Sequence, residues 1–91
     1  MSNYSYPIDL EWSHEEMTKV VVFLNQVELA YETGVDVENL LIAYKGFKEV
    51  VRSIGEEKRI GAEFEKVSSY SIYRTITAAK KTNQKRLRME L

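Results

Sequence analysis

Few residues of this 91-residue chain could carry out chemistry. The sole histidine, His14, stands beside two glutamates in the string "EWSHEEM" (11–17). Acid–base catalysis most often recruits histidine, but a di-iron site in a helical bundle needs two Glu-x-x-His motifs, which one histidine cannot supply. Without cysteine there is no thiolate nucleophile or zinc–cysteine site, and no glycine-rich phosphate-binding motif occurs. We therefore expect no enzyme activity, no cofactor and no metal site.

Glu28 is an acidic residue at a position where the helical pattern predicts burial. On a helical wheel it lies between Val21 and Leu24, inside the apolar stripe. An isolated buried charge is costly, so the carboxylate must be paired, hydrogen-bonded or protonated. We expect a salt bridge or a tyrosine hydrogen bond from another helix. The alternatives are partial exposure and an acid with a tuned pKa in a pocket, around which an enzyme with tyrosine donors could form.

The string "SSYSIYRT" (68–75) combines serines with two tyrosines and an arginine. Serine is a poor residue inside a helix and a good helix cap, so Ser68 and Ser69 are predicted to end one helix and Ser71 to begin the next. Tyrosine and arginine are enriched at binding hot spots. With two tyrosines near the N-terminus they form a candidate contact surface for a protein partner: Tyr4, Tyr6, Tyr70, Tyr73 and Arg74. The alternative is that the tyrosines hold the N-terminal segment to this turn within the fold.

Four amphipathic helices are predicted to position these residues. The first begins at a capping box, Ser13 with Glu16, and ends at Gly34. The second runs from Asp36 to Gly55, the third over about 56–68 and the fourth over about 72–83. The apolar positions predicted to face the core are Met17, Val20, Val21, Leu24, Val27, Tyr31, Leu40, Tyr44, Phe47, Val51, Ile54, Ile60, Phe64, Val67, Ile72, Ile76 and Ala79.

An extended arm is predicted to precede the helices, because Pro7 favours an extended conformation in the residue before it. Its expected anchors are Ile8, Leu10 and Trp12. The arm (1–12), the helices (13–84) and a basic tail (85–91) together have the size of one small domain. The predicted fold class is all-α, a compact array of about four helices with an extended N-terminal arm.

Charge is distributed unevenly along the chain, although the net charge is −1. Residues 1–40 hold eight acids and one base, whereas residues 73–91 hold six bases and one acid. We expect the tail to be a solvated, frayed helix end; the alternatives are docking on an acidic partner or on the first helix, and nucleic-acid binding. A pI near 5.9 disfavours nucleic acid, because neutralising phosphates requires a basic domain.

The longest strongly apolar run, "VVVFL" (20–24), is far shorter than the roughly 20 residues that a membrane span requires. No basic segment followed by an apolar one opens the chain, as a signal peptide would. We therefore expect a cytoplasmic protein that is not in a membrane.

Four strings, in order, resemble a known family: "NYSYPIDLEWS" (3–13), "VELAYETGV" (27–35), "AYKGFKEVV" (43–51) and "FEKVSSYSIYRT" (64–75). From Asn3 to about Lys80 the chain resembles the small YktA-like uncharacterised protein family of Gram-positive bacteria. The resemblance implies an all-α cytoplasmic fold. It implies no activity, because the family has no assigned function, so no residue role can be transferred.

The sequence as a whole favours a non-enzymatic protein-interaction or regulatory module. Its partner would be an unknown protein or a second copy of the chain. The second hypothesis is a nucleic-acid-associated accessory protein that uses the basic tail, and a weaker third is an enzyme built around Glu28.

Overall fold

Four helices dominate the computed structural model, which describes residues 4–91. They are α1 (His14–Glu32), α2 (Val37–Val50), α3 (Ile54–Ser68) and α4 (Ile72–Lys81). Two short strands, β1 (Val35–Asp36) and β2 (Arg86–Leu87), pair antiparallel, with Val35 opposite Leu87. The predicted all-α fold is confirmed, with this small ribbon added to it.

Local capping signals fix both ends of α1. The Ser13 side chain accepts a hydrogen bond from the Glu16 N–H at 3.1 Å, and the Glu16 carboxylate accepts one from the Ser13 N–H at 2.8 Å. This is the predicted capping box. Gly34 follows the helix with φ +100°, a conformation that glycine adopts without the strain that a Cβ would cause. His14 is merely the first, exposed residue of the helix.

The core lies mainly between α1 and α2, and α3 and α4 close it. The rings of Phe23 and Phe47 pack with centroids 4.7 Å apart across the α1–α2 contact. Phe23 was not among the predicted core positions, because it lies at the flank of the predicted stripe. The largest fully buried side chains are Phe23, Phe47, Phe64, Leu24, Leu40, Ile60, Val20, Val27, Val51 and Thr75.

The predicted end of α2 at Gly55 is wrong. The helix ends at Val50, because Val51 is extended and Ser53 caps a new helix by accepting the Glu56 N–H at 3.0 Å. Ile54 therefore starts α3 and is 69% exposed instead of buried. The spacing of Ser53 and Glu56 is itself a cap signal that the longer apolar stripe obscured. In the same helix, the predicted core position Val67 is exposed.

The N-terminal arm packs through two of its three predicted anchors. Ile8 and Trp12 lie against the core as expected, but Leu10 is 88% exposed. A turn from Asp9 to Trp12 carries Leu10 outward: the Trp12 N–H donates to the Asp9 carbonyl at 3.1 Å, and the Glu11 N–H donates to Asp9 Oδ1 at 2.9 Å. We name Asp9–Trp12 the Leu10 turn.

The prediction of a frayed helical tail is wrong as well. The last helix ends at Lys81, and the chain continues extended into β2. The Val37 N–H donates to the Lys85 carbonyl, and the Met89 N–H donates to the Ala30 carbonyl, both at 2.7 Å. The tail thus supplies hydrogen-bond partners to the Ala30 carbonyl near the end of α1 and to the Val37 N–H at the start of α2. Buried backbone groups require such partners.

A strand pattern in the tail carried the missing signal. Leu87 and Met89 pack against the core, and they alternate with the exposed Arg86 and Arg88. Alternation of this kind is typical of a half-buried strand. It spans too few residues to outweigh the helical pattern before it.

Candidate protein-binding surface

Glu28 lies on the inner face of α1 with 8% of its surface exposed. One carboxylate oxygen accepts a hydrogen bond from the Tyr4 hydroxyl, and the other accepts one from the Tyr6 hydroxyl at 2.6 Å. The Tyr6 hydroxyl is also 2.5 Å from Asn25 Oδ1. Burial, together with the hydrogen bond to Glu28, raises the pKa of Tyr4 above its usual range. The donors come from the arm, not from another helix, so Glu28 fastens the arm to α1.

An aromatic cluster, Tyr4, Tyr6, Phe64 and Tyr70, includes both tyrosines that donate to this carboxylate. The Phe64 ring of α3 lies 6.2 Å from the Tyr4 ring, 6.1 Å from the Tyr6 ring and 6.5 Å from the Tyr70 ring, between centroids. All three pairs are tilted or edge-on, the geometry that the quadrupoles of aromatic rings favour. The cluster therefore joins the arm, α1 and α3.

Tyr70 is also held inside the fold. Its ring stacks on Tyr31 with centroids 4.6 Å apart and planes 9° apart, and its hydroxyl donates to Glu32 Oε2 at 2.9 Å. Burial and this hydrogen bond raise the pKa of Tyr70. The Tyr31 hydroxyl in turn accepts the Ser71 N–H at 3.3 Å. The turn between α3 and α4 is thus tied to the C-terminal end of α1.

The serines of this turn act as helix boundaries. Ser69 adopts a left-handed conformation (φ 71°) and ends α3. Ser68 donates its hydroxyl to the Phe64 carbonyl at 2.6 Å. Ser71 begins α4, since its side chain accepts the Arg74 N–H at 3.1 Å. The capping roles predicted for these residues are therefore present.

The structure separates the five residues proposed as one contact surface. Tyr4, Tyr6 and Tyr70 belong to the aromatic cluster, where they hold the fold together. Tyr73 is 79% exposed, and Arg74 is exposed next to it. Within residues 4–91 the side chains of these last two make no hydrogen bond or ion pair. The internal alternative thus describes the first three residues, and Tyr73 and Arg74 are left facing outward.

A shallow groove of about 350 Å³ lies beside these two residues. We call it the α4 groove; its lining residues are Tyr73, Arg74, Thr77, Ala78, Lys81 and Met89. Two of them are cations and none is an acid. They are seven residues apart, which is two helical turns and roughly 10 Å along the axis. An apolar group flanked by negative charges is the complement of this lining.

Sequence reasoning named Tyr73 and Arg74 but missed the other four residues. The helical spacing of Thr77 and Lys81 from Arg74 is a signal that could have found two of the four. Met89 could not have been found, because only the docked tail brings it to α4.

Tyr73 borders a second groove as well, between α3 and α4. This groove has a volume of about 440 Å³, and its wall includes the exposed Ile54 and the small residues Gly61 and Ala62. A Cβ at Gly61 would meet nothing within 4 Å, so the floor is open. The tyrosine ring therefore stands on a ridge between two concave surfaces.

The bases near the α4 groove are uncompensated. Residues 66–89 contain seven bases and no acid. The ion pairs within residues 4–91 are Lys19–Glu49, Lys48–Glu57 and Arg59–Glu63, and none involves this segment. Lys80 reaches the Tyr44 ring, with its Nζ 5.6 Å from the centroid. Arg74 and Lys81 have no comparable internal partner in this part of the chain.

Among residues 4–91, no group of three or more His, Asp and Glu side chains could hold a metal ion. No helix in that range is both long and apolar enough to span a bilayer.

Comparison with known proteins agrees with the sequence resemblance. A model of the uncharacterised protein family UPF0223 matches residues 3–88. The chain belongs to this family. A UPF0223 protein of Streptococcus gordonii is 60% identical over 82 residues, which are 90% of this chain and 89% of the relative. One from Streptococcus pneumoniae serotype 19F is 57% identical over 81 residues, 89% and 88% of the two chains. The predicted membership in an uncharacterised family of Gram-positive bacteria is confirmed.

Proposed function

We propose that this UPF0223-family chain is a non-enzymatic protein-binding module. Its contact surface is the α4 groove with Tyr73 at the edge. The observation that carries the proposal is the contrast between near neighbours: the Tyr70 ring and hydroxyl have partners inside the fold, whereas Tyr73 and Arg74 face outward without side-chain partners among residues 4–91. An exposed tyrosine and arginine beside a concave surface have the composition of a binding hot spot.

The state of Glu28 supports a structural role over catalysis. Both of its carboxylate oxygens accept hydrogen bonds from tyrosine hydroxyls, and the residue is buried. A general acid or base must be within hydrogen-bond reach of a substrate. His14 lies elsewhere, exposed at the start of α1.

The dispersal of the basic residues supports a protein over a nucleic acid as the partner. A nucleic-acid backbone is bound along a continuous cationic track. Here Lys80 lies over the Tyr44 ring, and Arg86 lies against Gly34 between α1 and β1. Apolar side chains also separate Arg74 from Lys81 in the α4 groove.

Site-specific cross-linking tests the proposal. A photoreactive phenylalanine derivative replaces Tyr73 in the chain expressed in a streptococcal cell, and a matched chain carries it at the exposed Val22 of α1. We expect a discrete protein adduct from position 73 that disappears with Arg74→Ala and does not form from position 22. Identical adducts from both positions, or none from position 73, would refute the proposed surface.

Stability measurements separate the two tyrosines. Tyr73→Ala and Arg74→Ala should leave the melting temperature within about 2 °C, because exposed positions contribute little. Tyr70→Ala should lower it by several degrees, because it removes a stacked ring and a hydrogen bond. A large loss of stability from Tyr73→Ala would assign that residue to the fold.

A cytoplasmic location stays a prediction, which cell fractionation would test.

A further inference from the structure

The Leu10 turn presents an apolar side chain between acidic ones. Leu10 is the most exposed of the large hydrophobic residues within 4–91, and two hydrogen bonds of the turn hold it there. Asp9 and Glu11 flank it, and the exposed Glu15 follows in the first turn of α1. The turn is therefore an ordered, outward-facing acidic knob.

The α4 groove has the complementary arrangement. Arg74 and Lys81 supply two unpaired cations, and Tyr73, Ala78 and Met89 supply apolar surface between and beside them. The carboxylates of Asp9 and Glu11 flank Leu10 in a hydrogen-bonded turn. The long side chains of arginine and lysine in the groove can reach toward them.

The groove that accepts this turn cannot be the one in the same molecule. The Met89 N–H, at the edge of the groove, donates a hydrogen bond to the Ala30 carbonyl. Ala30 lies sixteen residues after His14, the first residue of α1. Sixteen residues of helix span roughly 24 Å. Leu10 precedes the opposite end of α1, so its side chain cannot reach Met89 of its own chain.

We propose that the α4 groove binds the Leu10 turn of a second copy of this chain. This inference rests on the proposed function, because it names the partner of the same surface. The knob and the groove lie near opposite ends of α1. An antiparallel pair related by a two-fold axis can therefore form both contacts at once, the isologous arrangement that closes an assembly. The acidic N-terminal part of one copy then faces the basic C-terminal segment of the other.

Sedimentation equilibrium over a range of protein concentrations gives the first test. The unmodified chain should form a dimer. Leu10→Ala should raise the dissociation constant of the dimer at least about tenfold, because it removes a leucine that the dimer buries in each of the two contacts. Leu29→Ala is the matched control, since Leu29 is an exposed leucine of α1, and it should leave the constant unchanged. Circular dichroism of each variant establishes that the helices are intact.

A charge exchange gives the sharper test. Glu11→Arg and Arg74→Glu should each weaken self-association, because like charges then meet across both contacts. Glu11 is preferred to Asp9, whose carboxylate accepts a backbone hydrogen bond within the turn. Mixing the two variants should restore the dimer, because each contact again joins opposite charges.

Each result decides the inference. A chain that stays monomeric, a dimer insensitive to both Leu10→Ala and Arg74→Glu, or variants that fail to restore association on mixing would overturn it. Binding of a mixed-sequence DNA duplex that Lys81→Glu abolishes, in place of dimer formation, would assign the groove to nucleic acid instead. A monomer that still gives an Arg74-dependent protein adduct from position 73 would overturn self-association and leave the proposed function standing.

Discussion

The hydrogen bonds at Glu28 yield a prediction about stability. Hydrogen bonds to a charged group contribute about 1.5–3 kcal/mol each, and Glu28 accepts two, from Tyr4 and Tyr6. Removing the carboxylate also removes the cost of burying its charge, and both hydroxyls are only partly buried, so water compensates some of the loss. We therefore expect Glu28→Ala to lower the free energy of unfolding by about 2–3 kcal/mol. For a domain of this size that is a fall of roughly 10–20 °C in melting temperature.

Urea unfolding followed by circular dichroism measures this loss. The control is Glu32→Ala, one turn further along α1, where an exposed carboxylate accepts one hydrogen bond from Tyr70; its cost should stay below about 1 kcal/mol. A double-mutant cycle of Glu28→Gln with Tyr4→Phe should show a coupling of at least about 0.5 kcal/mol. A loss within about 0.5 kcal/mol for Glu28→Ala, or additive effects in the cycle, would mean that the carboxylate does not hold the arm.

Three further predictions concern the cap, the tyrosines and the tail. Ser13→Ala should cost about 0.5–2 kcal/mol in urea unfolding, with His14→Ala nearly neutral, and the reverse order would argue against the capping box. The folded-state pKa of Tyr4 is raised above the unfolded value of about 10. Its contribution is therefore complete below about pH 10 and is lost as the pH rises through the folded-state pKa, so Tyr4→Phe should flatten the fall in stability seen in that range. Deleting residues 86–91 should cost about 2–3 kcal/mol, because Leu87 and Met89 are half-buried, and an unchanged melting temperature would contradict the docked tail.

Capping residues were the most predictable part of the fold, because their partners lie within three residues. Ser13, Asp36 and Ser71 each accept the backbone N–H three positions ahead, as their sequence context indicates. Such contacts require no knowledge of the tertiary structure. The existence and order of the four helices follow from the same local signals.

Errors arose where a contact distant in sequence decides the conformation. The apolar stripe of α2 continues to Ile54, but Ser53 starts another helix that turns this side chain to solvent. Residues 85–91 have a basic, helix-compatible composition, yet β1 is available to pair with them. The alternation in residues 86–89 is too short to outweigh that composition, so the contact with β1 decides the conformation.

In the candidate site, too, the local features could be predicted from the sequence and the contacts distant in sequence could not. The helical wheel identifies Glu28 as an acid on an apolar face, and the sequence limits its fate to a few physical outcomes. It does not reveal that the donors belong to the arm, because Tyr4 and Tyr6 are 24 and 22 residues away. Residue type alone placed Tyr70 and Tyr73 in one group; only the direction in which each leaves the turn distinguishes an internal contact from an exposed one.

In the N-terminal arm, the alternation of inward and outward side chains breaks at Leu10. Tyr4, Tyr6 and Ile8 are spaced by two and pack inward, as in an extended strand. Continued alternation would bury Leu10 too, but the turn that starts at Asp9 reverses it. Because the tyrosines fix the arm on Glu28 and the capping box fixes α1 directly after the turn, Leu10 is exposed on a segment ordered from both sides. An ordered knob loses little conformational entropy when it is bound. Glu28, which stabilises the fold by holding the arm, therefore also orders the surface that we propose for self-association.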